Sequence, residues 1–160
     1  FWTLFHGQND VGELPGVTKA EQVDDARDPV QYVTSNQHVV LAVPTTIFEA
    51  GETINNFTIF SFDPEKNDRG DYKGWAYLGS VAAGGENSAN CGDDLPTPCV
   101  SSTGKLSFAP PVSGTMPVIR VDMSGTQVEG PGKTRTLGAN DAVDYTFDEN
   151  TRQYQQPAGN

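Results

Sequence analysis

Residues 118–123 read Val-Ile-Arg-Val-Asp-Met (VIRVDM), and this alternation decides the fold class. In an extended chain successive side chains point to opposite faces, so Ile119, Val121 and Met123 share one side while Arg120 and Asp122 share the other. A helix would scatter the same apolar residues around its circumference. The stretch AVDYTFDE at residues 142–149 repeats the pattern, with Val143, Tyr145 and Phe147 inward. Both read as half-buried strands.

Outward from these two runs the same period recurs. Val39, Leu41 and Val43 alternate in HVVLAVP, and Leu106 pairs with Phe108 in GKLSFAPP. In NNFTIFSF, Phe57 and Ile59 face one way and Phe60 and Phe62 the other, while Trp75, Tyr77 and Val81 are read as one face of GWAYLGSV. Gly, Pro, Asn and Asp clusters separate the runs, as they do in antiparallel sandwiches. Helical spacing is confined to VTKAEQVDDAR at residues 17–27, where Val17, Ala20 and Val23 suggest a turn or two ended by Pro29. The stretch from Ala82 to Thr103 is too polar for a strand and reads as a long loop. The expectation is an all-β protein, a single antiparallel β-sandwich of immunoglobulin-like or jelly-roll-like type. It divides into an N-terminal strand and arm (1–29), a sandwich domain (30–150) and a C-terminal tail (151–160).

One region of the chain carries a family resemblance. In TTIFEAGETINNFTIFSF a Phe followed by Ala50, Gly51, Glu52, Thr53 and Ile54 resembles the strand, turn and strand entry of immunoglobulin-like and fibronectin-III-like extracellular modules. GDYKGWAYLG looks like their central Trp-bearing strand, and TGKLSFAPPVSGTMPVIRVDM resembles their later strands. The resemblance covers about residues 38–123 and implies a fold rather than an activity.

Composition narrows the function classes. The 160 residues suffice for one well-cored domain. A formal charge of -11 opposes binding to nucleic acid or anionic membranes, and the ten Lys and Arg are scattered singly. No run approaches the roughly 20 apolar residues of a membrane span. Starting at Phe1 instead of Met is read as the mark of a removed leader or a trimmed chain. Cys91 and Cys99 flank a Gly- and Pro-bearing loop, NCGDDLPTPC, without the CxxC spacing of zinc sites, so a disulfide in an oxidising compartment is expected. Asn56, Phe57 and Thr58 form an N-glycosylation sequon that fits a secreted, extracellular or cell-surface protein.

Catalytic patterns are missing. His6 and His38 are the only imidazoles, and neither lies in an HExxH or GxSxG context, so no enzyme is expected. DPEKNDRGD at residues 63–71 spaces acids like an EF-hand loop, but Asp68 stands where the sharp turn needs Gly and Gly74 where the bidentate Glu belongs. A looser calcium site from Asp63, Asp68 and Asp71 is the remaining cofactor reading. The same loop contains Arg69, Gly70 and Asp71, a tripeptide that integrin ligands display on exposed turns and that also arises by chance. For glycan stacking, Trp75 and Tyr77 alternate with Ala76 and Leu78 and read as core, leaving Tyr72, Trp2 and Tyr154 as the exposed aromatics.

The first five residues, FWTLF, set Phe1 and Phe5 on one face and Trp2 and Leu4 on the other. A strand apolar on both faces requires burial on both. Either it is the first strand of its own sandwich, or it completes a neighbour's sheet by strand addition. The arm from Gly7 to Pro29, about 23 residues at roughly 3.3 Å each, spans about 75 Å when extended. The functional expectation is a secreted structural or adhesive β-sandwich that self-associates through Phe1, Trp2, Leu4 and Phe5. The alternative is a carbohydrate-binding, lectin-like module.

Overall fold

The alternating runs become ten strands. A computed structural model describes residues 21–92 and 95–156. The strands are β1 (Gln22–Val23), β2 (Val30–Val33), β3 (Val39–Glu49), β4 (Glu52–Lys66), β5 (Tyr72–Glu86), β6 (Ser101–Ala109), β7 (Val118–Gly130), β8 (Lys133–Leu137), β9 (Val143–Asp148) and β10 (Gln153–Gln155). Their order is β1-β3-β4-β5-β6-β7-β9-β10, with β2 also on β3 and β8 also on β7, and all these pairings are antiparallel. The all-β, antiparallel expectation holds.

One continuous ladder thus joins all ten strands, and the sheet folds over on itself. Tyr32 of β2 meets Phe108 of β6 at 5.8 Å between ring centroids, although three strands separate them in the pairing order. β10 likewise lies against Gly79 of β5. Between the two layers Val40, Ala42, Phe57, Ile59, Leu78, Val81, Leu106, Ile119, Val121, Tyr145 and Tyr154 form one buried cluster. Met123, Val143, Phe147 and Phe108 pack against it, as their alternation predicts.

The fold line crosses β5 and β7 at glycines that face Ser101 and Ser102 of β6. A Cβ on Gly84 would stand 2.4 Å from the Ser102 carbonyl oxygen, and one on Gly125 2.2 Å from that of Ser101; both have positive φ. Only glycine lets backbones approach so closely while bending a strand from one layer into the other. Here β5 gains a second partner: it pairs with β4 along its length but with β6 only at Gly84, Gly85 and Glu86.

Three expectations need correction. Residues 21–27 are not helical: Gln22 and Val23 pair with Thr46 and Thr45, and Asp24 then turns the chain by accepting the Ala26 N–H. Edge pairing and packing of Val23 against Val43 and Phe60 override a weak helical pattern. The loop expected from Ala82 is shorter, because β5 runs to Glu86 with Ala83 in the core. Its glycines, read as polar loop, are what admit the close pairing. Third, the sheet extends beyond residues 30–150 at both ends, through β1 and through β10, whose Tyr154 is core and donates its hydroxyl to the Pro117 carbonyl at 2.9 Å.

The remaining loop is braced at both ends. Cys91 and Cys99 are joined in a disulfide with Cα atoms 5.0 Å apart. Beneath it the buried Asn87 donates to the Pro98 carbonyl at 3.0 Å and accepts the Val100 N–H at 2.8 Å.

Candidate functional site

Directly opposed residues of antiparallel strands face the same side. Register therefore places Val33 of β2, Val39 of β3, Phe62 of β4 and Trp75 of β5 on one rung across four strands. The next rung carries Leu41, Phe60 and Tyr77. Both lie on the face away from the main core, because the inward residues of these strands are Val40, Ala42, Phe57, Ile59 and Leu78.

The second rung is closed: Phe60 and Val43 are fully buried beside Val23, Leu41 and Tyr77. Farther along that face a polar ladder takes over, with Thr45 and Thr58 donating their hydroxyls to the Glu21 carboxylate and Thr58 reaching Ser80 at 3.2 Å. The first rung is open. Val33 is 53% exposed and Trp75 41%, and Tyr72 beside them is 58% exposed. Phe62 supports both aromatics from below, its ring centroid 5.1 Å from that of Trp75 and 5.8 Å from that of Tyr72. The Lys66 ammonium stands 5.1 Å from the Tyr72 ring centroid and so occupies one face of that ring.

Charged residues cluster nearby. Asp63 holds His38 at 3.5 Å and Lys73 at 3.9 Å, and Lys73 also pairs with Glu65. Glu65 raises the Lys73 pKa above its ordinary value by hydrogen bonding and by charge. The hairpin tip beyond is built on Asn67. Its side-chain oxygen accepts the N–H of Arg69 at 2.9 Å and of Asp71 at 3.1 Å, and its own N–H donates to the Asp71 carbonyl at 2.8 Å.

Against this geometry the expected site residues separate. Phe1, Trp2, Leu4 and Phe5 lie outside the described residues, as do Asp93 and Asp94 inside the disulfide loop. Asp63, Asp68 and Asp71 do not converge: Asp63 is turned to His38 and Lys73, and no group of three metal-ligating side chains forms among the described residues. Asn56 sits half-buried in mid-sheet between Thr45 and Ala82, and the sequon hydroxyl of Thr58 is buried and engaged with Glu21. Trp75 is not core, and Tyr154, expected outside, is buried.

Sequence reasoning missed Val33, Val39 and Phe62 as members of a surface. It also placed Val81 on the face of Trp75 and Tyr77, whereas Val81 is core. The reason is a bulge: Tyr77 pairs with Phe60 but Ser80 with Thr58, so β5 inserts an extra residue at Gly79 and reverses its faces. That Gly79 was the available signal.

No protein-family model, curated protein or solved structure matches this chain.

Proposed function

We propose that this is a non-enzymatic, extracellular structural protein whose copies associate through the open rung of Val33, Val39, Phe62 and Trp75. The single observation carrying this reading is that rung, apolar across four strands, with Val33 and Trp75 exposed at its ends and Val39 and Phe62 half-buried between them, in a chain of charge -11. Contiguous apolar surface of this kind marks an interaction site. The Cys91–Cys99 bridge is compatible with an extracellular location.

The proposed occupant is the segment of residues 1–5 from a second copy, added beside β5. Over residues 72–78 no described strand pairs with the edge of β5 away from β4, so among the described residues that edge is open to an added strand. An added strand would extend the rung next to Trp75 on one face and meet the core layer beside Leu78 on the other. That environment suits a strand apolar on both faces. Fifteen residues separate Phe5 from Glu21, enough to reach about 50 Å when extended. Covering the exposed portions of Val33, Tyr72 and Trp75 contributes about 1 kcal/mol each, with backbone pairing added.

A carbohydrate-binding reading has its own support, since Trp75 and Tyr72 are neighbouring exposed aromatics. Two features favour the protein partner. The rung continues into aliphatic Val33 and Val39, which offer a sugar no stacking plane, and Lys66 covers one side of Tyr72. Light scattering on the full chain and on a chain lacking residues 1–5 tests the choice. Assembly by the full chain and a folded monomer from the truncated one support strand addition between copies. A monomeric full chain whose truncation lowers the melting temperature means that the segment folds back on its own sheet. A monomer retained on insoluble polysaccharide until Trp75 is replaced by Ser favours the glycan reading.

A further inference from the structure

The geometry points to the β4–β5 hairpin tip as a second, separate binding site: Arg69, Gly70 and Asp71 form a preorganised epitope for an integrin-type receptor, whose site joins a divalent cation to an acidic pocket. Four features carry this. First, the tripeptide is the apex of a hairpin between two 15-residue strands, so it projects from the sheet, and all three residues are exposed.

Second, the loop is held in one shape. Asn67 accepts the N–H groups of Arg69 and Asp71 through its side chain, while its own backbone accepts the Gly70 N–H at 2.9 Å. Gly70 adopts φ 84°, a left-handed conformation that disfavours any other residue. Binding by such a loop loses little conformational entropy.

Third, the two charged groups are unpaired among the described residues. The other cations of the hairpin are engaged, Lys66 over Tyr72 and Lys73 with Glu65 and Asp63, whereas neither the Arg69 guanidinium nor the Asp71 carboxylate has an ion-pair or side-chain hydrogen-bond partner among the described residues. A free carboxylate can enter a cation's coordination sphere, and a free guanidinium can form a forked pair with a receptor carboxylate. Fourth, access is open at the centre. Nothing lies within 4 Å of where a side chain on Gly70 would begin, so a receptor surface can approach the backbone between the two charges.

The test is adhesion of cultured animal fibroblasts to surfaces coated with the full chain or its Asp71→Glu variant, in buffer containing Mn2+. Asp71→Glu keeps the charge and the backbone contacts but lengthens the carboxylate arm by one methylene. The expected result is adhesion that EDTA abolishes, that a soluble linear Arg-Gly-Asp peptide competes away, and that falls at least tenfold for Asp71→Glu at an unchanged melting temperature. Adhesion no better than to albumin, or adhesion that survives Asp71→Glu or ignores the peptide, overturns the proposal.

Discussion

Trp75 and Asn87 are two residues whose roles reverse what their types suggest. A Trp on a long central strand reads as core, yet Trp75 is exposed on an apolar rung. Trp75→Ser is therefore expected to change the melting temperature by only a few degrees while abolishing association, which paired thermal-melt and light-scattering measurements on one sample would show. Asn87, an ordinary loop residue by type, is buried and holds the Pro98 carbonyl inside the disulfide loop and the Val100 N–H just after it. Asn87→Ala leaves both groups without this partner and is expected to cost about 1 to 3 kcal/mol. Denaturant melts would read that loss. Adding Cys91→Ser and Cys99→Ser removes about 2 to 3 kcal/mol more on the chain-entropy account. Neither residue was legible in advance, because alternation tells which residues share a face but not which face meets the core.

At the scale of elements, the fold line and the bulge decide how two layers arise from one ladder. Gly125→Ala places a Cβ against the Ser101 carbonyl at a positive φ, and roughly 2 to 4 kcal/mol of stability is expected to be lost. Gly130→Ala, where nothing lies within 4 Å, is the control and should melt near the parent temperature. Strand existence and facing were legible for VIRVDM, AVDYTFDE and NNFTIFSF, because within these runs no residue is inserted and the pairings of β4 with β3, of β7 with β6 and of β9 with β7 stay in register. GWAYLGSV was half legible. The Gly79 bulge shifts the period inside the run, so Trp75 and Tyr77 go outward while Val81 turns inward. The β1 pairing was illegible for another reason: a two-residue strand leaves no period to read, and its partner lies more than twenty residues away.

For the whole molecule, acid is the informative variable. Arg27 holds the Asp24 carboxyl below its ordinary pKa, hydrogen bonds from Ser88 and Thr53 lower that of Glu86, and the Gly138 N–H with Arg135 lowers that of Asp141. Each group binds its proton more weakly folded than unfolded. Their contribution to stability is thus complete above the unfolded values, about 4, and is lost as pH falls through the depressed folded ones. Repulsion from a net charge of -11 acts the other way, relaxing as pH drops from 7. The melting temperature is expected to hold or rise down to about pH 5 and then to fall below about pH 4, and Asp141→Asn should flatten that acid limb. A continued rise to pH 3 would show that charge repulsion outweighs these carboxylates.

The single pairing path has a mechanical consequence. β1 and β10, joined by two and three residue pairs, are the opposite ends of one ladder and lie near the two ends of the described chain. Tension applied to the termini loads these short outer strands before the long β4–β5 hairpin. Hairpins pulled from their open ends unzip bond by bond instead of shearing along their length. In a force-clamp experiment the molecule should therefore lengthen in small steps at low load, with β4 and β5 yielding last, and the disulfide should withhold the residues of its own loop until it is reduced. Such a chain would be soft and extensible, absorbing strain by peeling its outer strands and recovering as they pair again.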